Sequence, residues 1–124
     1  MSHDYSLPQT SAIRIWHGQL LEGAATSKIS LQISPGDLEV LFQEAGFVNV
    51  TIKEWPLPIG RWPKDPGLKK IGAFQSQVFR DGLEAFSLAI FTRALGWDLI
   101  KIEKLLEEVR EELNNRSYHW YWPL

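Results

Sequence analysis

The sequence predicts a mostly helical α+β fold, in which four to five helices pack with a small two-stranded antiparallel sheet. Apolar residues recur at helical spacing in several separate stretches. Two short stretches instead alternate apolar and polar residues, as half-buried strands do. The chain has 124 residues, a length at which one domain is the default. We therefore expect a flexible N-terminus over residues 1–8 and a single domain over residues 9–124.

Composition narrows the classes of function. The formal net charge is −2, which argues against nucleic acid as the main partner. The absence of cysteine excludes disulfides and thiolate chemistry. No apolar run reaches membrane-spanning length, and the polar first residues lack a signal-peptide core. These observations predict a soluble, cytoplasmic protein that binds neither nucleic acid nor membranes.

Two helices and a strand are predicted in the first part of the chain. Ser6 and Pro8 resemble a helix start, and residues 9–24 follow as an amphipathic helix. A second helix starts at Ser34, which is a capping serine followed by a proline and an acidic residue. Residues 47–55 alternate as a strand. The apolar positions are Ile13, Trp16, Leu20 and Ala24 in the first helix, Leu38, Leu41, Phe42 and Ala45 in the second, and Val48, Val50 and Ile52 in the strand.

The other elements are arranged around a proline-rich stretch, residues 54–65. It contains three prolines and two tryptophans: Pro56, Pro58, Pro63, Trp55 and Trp62. Prolines fix their own φ and disrupt a central strand ladder, so we expect a stiff, extended loop. The tryptophans predict that this loop is held against a core. It is either a rigid crossover between elements or the wall of a pocket into which Arg61 or Lys64 points.

Helices and a second strand are predicted after the proline stretch. Asp65 caps a helix that continues to about residue 78. Residues 83–95 are apolar nearly all round, so we expect a separate helix that is buried on most sides. Asp98 caps the last helix, whose outer face is charged and solvated. Residues 117–122 alternate as a strand. The last helix has the stripe Ile102, Leu105, Leu106, Val109 and Leu113, and the strand has the aromatic face Tyr118, Trp120 and Trp122.

The sequence lacks the motifs of several common chemistries. It has no glycine-rich phosphate loop, no paired histidines at metal-binding spacing and no Gly-x-Ser-x-Gly, so we expect no metal and no cofactor. The isolated acid–base candidates that remain are His17, Glu54, Asp65, His119 and Tyr121. An aromatic cavity with one or two such groups can support a proton shift, a dehydration or a cyclisation. The same groups are equally compatible with an inert core.

Five ordered blocks resemble a known family. They are Glu44-Ala-Gly-Phe-Val-Asn-Val50, Leu57-Pro-Ile-Gly-Arg-Trp-Pro-Lys-Asp65, Leu68-Lys-Lys-Ile-Gly72, Thr92-Arg-Ala-Leu-Gly-Trp97 and His119-Trp-Tyr-Trp-Pro123. Over roughly residues 10–124, the chain resembles the C-terminal part of fungal methyltransferases of the LaeA-like type. These are class I S-adenosylmethionine enzymes with a doubly wound sheet. The resemblance implies fungal secondary metabolism as the setting, and a fold that is a remnant of the family's C-terminal and cap region.

The departure from the family is as informative as the match. The family's N-terminal half, with its glycine-rich cofactor turn and its acidic ribose-binding residue, has no counterpart here, so none of its cofactor-binding residues carries over. The positions that the resemblance places in the wall of a substrate pocket are Trp16, His17, Trp62, Phe74 and Trp120.

Three functions are compatible with these observations. The first is a truncated methyltransferase-like protein that works as a cofactor-independent cyclase or isomerase. It would act on a small hydrophobic, polyketide- or terpenoid-like substrate, with His17, Arg61 and His119 as catalytic residues. The second is a non-catalytic subunit that docks onto a full-length methyltransferase or another pathway protein, and the third is a degenerate fragment without function. An enclosed cavity with a polar group inside favours the enzyme, and a solid core with an apolar outer patch favours the docking subunit.

The predicted strands also suggest an assembly. Two strands alone are marginal in water and leave unpaired backbone groups along their edges. The aromatic face of residues 117–122 would then lack a cover. We therefore expect a homodimer whose interface includes residues 117–122 and the strand at 47–55, with a heterologous partner as the alternative.

Overall fold

The computed structural model describes residues 6–123 and confirms the α+β fold. A π-helical turn directly follows the third helix, and the two strands form one antiparallel sheet. The helices are Ala12–Thr26 (α1), Pro35–Glu44 (α2), Pro66–Ala89 (α3) and Leu99–Glu112 (α4), the π-helical turn is Ile90–Ala94, and the strands are Pro56–Ile59 (β1) and Trp120–Pro123 (β2).

The N-terminal segment is only partly covered by the structure. Of the flexible N-terminus predicted over residues 1–8, residues 1–5 lie outside the described residues. Leu7 is buried in the core. The Ser6 hydroxyl oxygen accepts a hydrogen bond from the backbone N–H of His119 at 2.8 Å. The chain just before α1 therefore packs against the segment that leads into β2.

Helix α1 begins with a cap that another helix completes. Ser11, not Ser6, is the N-cap residue. Its hydroxyl donates to Glu112 Oε2 at 2.6 Å. The backbone N–H groups of Ala12 and Ile13 donate to the same carboxylate at 2.9 and 3.1 Å. A carboxylate at this end accepts hydrogen bonds from N–H groups that have no partner within the helix. Its negative charge also interacts favourably with the helix dipole. The start of α1 is thereby fixed to the end of α4.

Helix α2 forms where the sequence predicts it. The Ser34 hydroxyl accepts from the backbone N–H of Asp37, and the Asp37 carboxylate accepts from the backbone N–H of Ser34, both at 3.1 Å. This is a capping box. No residue of α2 is buried, however. Its apolar face, including Leu41 and Phe42, is open to solvent in the described chain.

The strand predicted over residues 47–55 is wrong. That segment has no regular structure, and Val48 is 82% exposed. The proline stretch, which we expect to be a loop, forms β1 instead. It pairs with β2 so that Pro56 lies opposite Pro123 and Ile59 lies opposite Trp120. The second strand is confirmed in position, but it starts at residue 120 and not at residue 117.

Proline is compatible with β1 because the sheet has only two strands among residues 6–123. In an antiparallel pair, alternate residues direct their N–H groups at the partner strand. Pro56 and Pro58 are two residues apart, so both can take the outward positions where no N–H is needed. The alternating residues 47–55 form no strand, because no described strand or core surface lies beside them.

Helix α3 meets β1 at an unusually close backbone contact. The N–H of Gly60 donates to the carbonyl oxygen of Gly72 at 3.0 Å. A Cβ at residue 72 would lie 2.0 Å from the Gly60 oxygen. Gly60 itself has φ of +100°, which is unfavourable for residues with a side chain. The two glycines thus allow α3 to approach the end of β1. This contact keeps Arg61 and Trp62, the residues after Gly60, beside α3.

The sequence predicts two helices where the structure has one long one. Helix α3 continues through residue 89 into the π-helical turn, and Gly96 (φ +66°) ends the run. The segment 83–95 is not buried on most sides, because neighbouring elements cover only one side of it. Leu83, Ser87 and Phe91 are buried at four-residue intervals, whereas Phe86 is 54% exposed.

The core lies between α1, α3, the π-helical turn, α4 and the sheet. The apolar stripes predicted for the first and last helices are confirmed as buried. Trp120 is also buried, with its ring edge-on to Phe79, which is in turn edge-on to Trp16. α1 and α3 thus cover Trp120, so the expectation that the aromatic face of residues 117–122 lacks a cover is wrong at this residue, whereas Trp122 remains 36% exposed.

Candidate functional site

Two of the predicted pocket residues are core residues. Trp16 is 1% exposed, and its indole N–H donates to the Ser87 hydroxyl at 2.8 Å. Trp120 is 4% exposed. Neither side chain lines either of the two grooves described below. Both tryptophans support the fold in this structure.

His17 lies at the edge of this aromatic core. Its ring is edge-on to Trp122, with a centroid distance of 5.6 Å. The side chain is half-buried, and this burial lowers the pKa of His17 below its ordinary value of 6.5. The imidazole is therefore neutral at pH 7 and available as a hydrogen-bond or proton acceptor.

His119 belongs to a different contact. Its ring stacks on Trp62, with a centroid distance of 5.0 Å. The indole N–H of Trp62 donates to the backbone carbonyl of Trp120 at 3.0 Å, which joins the chain after β1 to β2. Both tryptophans of the proline stretch are expected to be held against the core, but Trp62 is only half-buried and Trp55 is 65% exposed.

A groove of about 420 Å³ lies between the loop after β1, the middle of α3 and the loop between α4 and β2. It is open to solvent and is not an enclosed cavity. Arg61 and Trp62 form one wall, Arg80 lies on α3, and Arg116 lies on the last loop. The remaining lining residues are Gly60, Ala73, Ser76, Gln77, Leu113, Asn114, Asn115 and Tyr118. We call this the arginine groove.

A second groove of about 560 Å³ adjoins the first along α3. The two share Arg61, Ala73 and Gln77, and the second adds Pro66, Lys69, Lys70 and Phe74. Its wall is mainly apolar, because the Phe74 ring is 65% exposed there. We call it the Phe74 groove.

The predicted site residues are thus divided among separate places. Arg61 and Trp62 line the arginine groove, and Phe74 lies in the groove beside it. His17 contacts Trp122, and neither His17 nor His119 lines either groove. The catalytic roles of His17, Arg61 and His119 stay predictions.

The other acid–base candidates have structural contacts. Asp65 is the N-cap of α3 and accepts from the backbone N–H of Leu68 at 2.8 Å. Burial raises the pKa of the Tyr121 hydroxyl, and the nearby Glu54 carboxylate raises it further. Tyr121 is therefore protonated at neutral pH.

Sequence reasoning missed Arg80 and Arg116. They stand 36 positions apart, and no motif connects either of them to Arg61. Only the packing of α3 beside the loop between α4 and β2 brings the three arginines to one groove. Among residues 6–123, no cluster of three His, Asp or Glu side chains is placed to hold a metal ion. Over the same residues, no helix has the length and apolar character needed to cross a membrane.

A long exposed apolar segment is the other notable feature. We define it as residues 29–55, which comprise α2 and the irregular chain on both sides of it. None of these residues is buried. The large apolar side chains exposed by 45% or more are Ile29, Leu31, Ile33, Val40, Leu41, Phe42, Phe47, Val48 and Trp55.

Comparison with known proteins confirms the resemblance to fungal LaeA-like methyltransferases. The chain is 38% identical over 120 residues to "Methyltransferase pytC" of Aspergillus terreus. It is 34% identical over 119 residues to "Secondary metabolism regulator LAE1" of Cochliobolus heterostrophus, and 32% identical over 124 residues to "Probable methyltransferase tdiE" of Emericella nidulans. These alignments cover 95–99% of the chain but only 36–38% of each relative. No family model and no solved structure matches the chain.

Proposed function

Because the chain is a homologue of one part of fungal secondary-metabolism methyltransferases and regulators, we propose that it is a binding module for a methyltransferase. In this function, the apolar segment 29–55 docks onto the cofactor-binding part of a methyltransferase fold. The observation that carries the proposal is the exposure of that segment, which includes a well-capped helix with no buried residue.

The exposed segment is costly in isolation. Burying a large apolar side chain stabilises a protein by roughly 1.5–3 kcal/mol, and this segment leaves nine such side chains at least 45% exposed. Contiguous exposed apolar surface of this kind marks an interaction site. A ten-residue helix such as α2 is also marginal without tertiary contacts, even with a good N-cap.

The comparisons support the nature of the partner. The chain spans little more than a third of the length of its relatives. In class I methyltransferases, the remaining part provides the doubly wound sheet, whose faces are covered by helices. An amphipathic helix with irregular apolar flanks is suited to packing on such a layer. We therefore propose the cofactor-binding part of a methyltransferase as the partner of the segment. The test below distinguishes it from a second copy of the chain.

The test uses the part of the A. terreus relative that lies outside the aligned region. Purified full chain is titrated with this fragment by calorimetry, and the complex is sized by light scattering. The variant is Val48→Asp within the segment. The matched control is Ile100→Asp on α4, because Val48 and Ile100 are 82% and 80% exposed.

We expect the wild type and the Ile100→Asp variant to bind the fragment. The Val48→Asp variant should bind at least about tenfold more weakly, since it places a charge in an apolar interface. Equal affinity of both variants, or no complex with the wild type, contradicts the proposal. A dimer of the chain alone that Val48→Asp disrupts assigns the segment to a second copy instead.

A cofactor-independent cyclase or isomerase is the second candidate function. The observation that favours it is His17, a half-buried imidazole with a lowered pKa beside an aromatic ring. Such a group suits proton transfer on a polyketide- or terpenoid-like substrate. In this case Arg61 and His119 would polarise the substrate from outside the contact between His17 and Trp122, since Arg61 lines the arginine groove and His119 stacks on Trp62.

Turnover assays with candidate pathway intermediates test this function. The His17→Ala and Arg61→Ala variants should slow turnover by about 10²–10⁴-fold without unfolding the protein. Arg93→Ala, a variant at an exposed arginine of the π-helical turn, is the control. Wild-type rates in both site variants would remove these residues from the site.

A further inference from the structure

We propose that the arginine groove and the Phe74 groove together bind a small molecule that carries an oxyanion on a short apolar body. The oxyanion, a carboxylate or a phosphate, is held by Arg61, Arg80 and Arg116, and the apolar body lies against Phe74. This inference rests on neither the docking proposal nor the similarity to methyltransferases.

The first support is uncompensated positive charge. Three arginines line one groove, and no Asp or Glu lines it. None of the three arginines makes an ion pair with a carboxylate within residues 6–123. Asp81, which lies one helical turn after Gln77 on α3, accepts a hydrogen bond from the Gln77 side chain at 2.9 Å. Asp81 does not line the groove. Lys69 and Lys70 add two cations in the adjoining groove.

The second support is the fixed position of part of the groove wall. The Arg80 guanidinium donates to the Asn114 side-chain oxygen at 2.6 Å, which holds this half-buried arginine at the groove. On the next loop, the backbone N–H of Ser117 donates to the Asn115 side chain at 3.0 Å. Trp62 is fixed by its hydrogen bond to β2. Arg80 and Trp62 therefore lose little entropy when a ligand binds, whereas Arg61 and Arg116 are exposed and are ordered only by the ligand.

The third support is the division of polarity between the grooves. The arginine groove is mainly polar, and the Phe74 groove, which shares Arg61 with it, is mainly apolar. Their volumes, about 420 and 560 Å³, lie in the range of small-molecule sites. Guanidinium groups recognise carboxylates and phosphates through paired, charge-assisted hydrogen bonds. A ligand that satisfies both grooves is therefore an amphipathic anion.

The test measures binding of simple probes to the full chain by calorimetry. The probes are 4-phenylbutyrate, its neutral amide, phenyl phosphate and inorganic phosphate. The variants are Arg61→Gln and Arg116→Gln, because both side chains are exposed and make no hydrogen bond to the rest of the described chain. Arg93→Gln, at an arginine that lines neither groove, is the matched control. Thermal melting confirms that each variant is folded, and Arg61→Lys replaces Arg61→Gln if the latter is not.

We expect saturable binding of 4-phenylbutyrate at millimolar concentrations and at least about tenfold weaker binding of its amide. Each groove variant should weaken binding of the acid by a similar factor, whereas Arg93→Gln should not. The proposal is overturned if no probe saturates, if the amide binds as well as the acid, or if Arg93→Gln weakens binding as much as the groove variants.

The phosphate probes distinguish the source of the oxyanion. Tighter binding of phenyl phosphate than of 4-phenylbutyrate assigns the groove to a phosphate group, and the reverse order assigns it to a carboxylate. Inorganic phosphate that binds as tightly as either aromatic probe excludes the role of the Phe74 groove and overturns the two-part site.

Discussion

At the scale of single residues, Glu112 connects two helices through one carboxylate. It accepts hydrogen bonds from the Ser11 hydroxyl and from the N–H groups of Ala12 and Ile13. We expect Glu112→Gln to lower the free energy of unfolding by about 1.5–3 kcal/mol, because hydrogen bonds to a charged acceptor are replaced by weaker ones. Glu111→Gln is the control, since Glu111 is exposed. Urea denaturation measures both, and equal midpoints would show that the charge does not stabilise α1.

The burial of His17 makes the stability of the fold depend on pH. Because burial lowers its pKa in the folded state below 6.5, the unfolded chain binds more protons as pH falls through that region. The stability contribution is thus complete above the unfolded-state pKa and is lost as pH falls toward the folded-state pKa. We expect the melting temperature of the wild type to fall more between about pH 7 and pH 5 than that of His17→Gln. The same fall in both proteins would assign the pH dependence to other groups.

At the scale of elements, the contact between α3 and β1 depends on a missing side chain. A Cβ at Gly72 would lie 2.0 Å from the Gly60 carbonyl oxygen, so Gly72→Ala must push the helix off the strand. We expect a loss of stability of about 1–3 kcal/mol or more. Gly18→Ala in α1 is the matched control, because nothing lies within 4 Å of the added methyl group. It should stabilise by roughly 0.5–1 kcal/mol, since alanine favours the helix.

Calorimetric or urea unfolding of the two alanine variants decides this point. We expect the free energy of unfolding to decrease in Gly72→Ala and to increase in Gly18→Ala. If Gly72→Ala is as stable as the wild type, α3 can withdraw from β1 without cost, and the position of Arg61 beside α3 does not depend on this contact.

At the scale of the whole molecule, the chain has an apolar core and an exposed apolar segment. It also lacks the glycine-rich turn with which class I methyltransferases hold their cofactor. We therefore expect no S-adenosylmethionine binding by this chain alone. Calorimetry with the purified chain measures it, and micromolar affinity would mean that residues outside the usual turn can hold the cofactor.

The presence of the helices and the N-caps of α2, α3 and α4 could be predicted from the sequence because their signals are local, whereas the N-cap of α1 and the continuation of α3 through residue 89 could not. Ser34, Asp65 and Asp98 each accept a hydrogen bond from an N–H three residues on, as a capping residue must. The buried stripes of α1 and α4 followed from 3.6-residue periodicity in the same way. The resemblance to fungal methyltransferases rested on ordered sequence blocks, which also need no structure.

Strand pairing, exposure and the groove depended on tertiary structure. Whether an alternating or proline-rich stretch becomes a strand depends on the neighbour that it pairs with, so β1 formed at residues 56–59 and not at 47–55. The apolar face of α2 looks in sequence like that of a buried helix, and only the absence of a covering element in the described chain leaves it exposed. Arg61, Arg80 and Arg116 are distant in sequence and share a groove because α3 packs between the two loops. Local chemistry determined where the helices form, and long-range packing decided which stretches pair as strands and which surfaces meet.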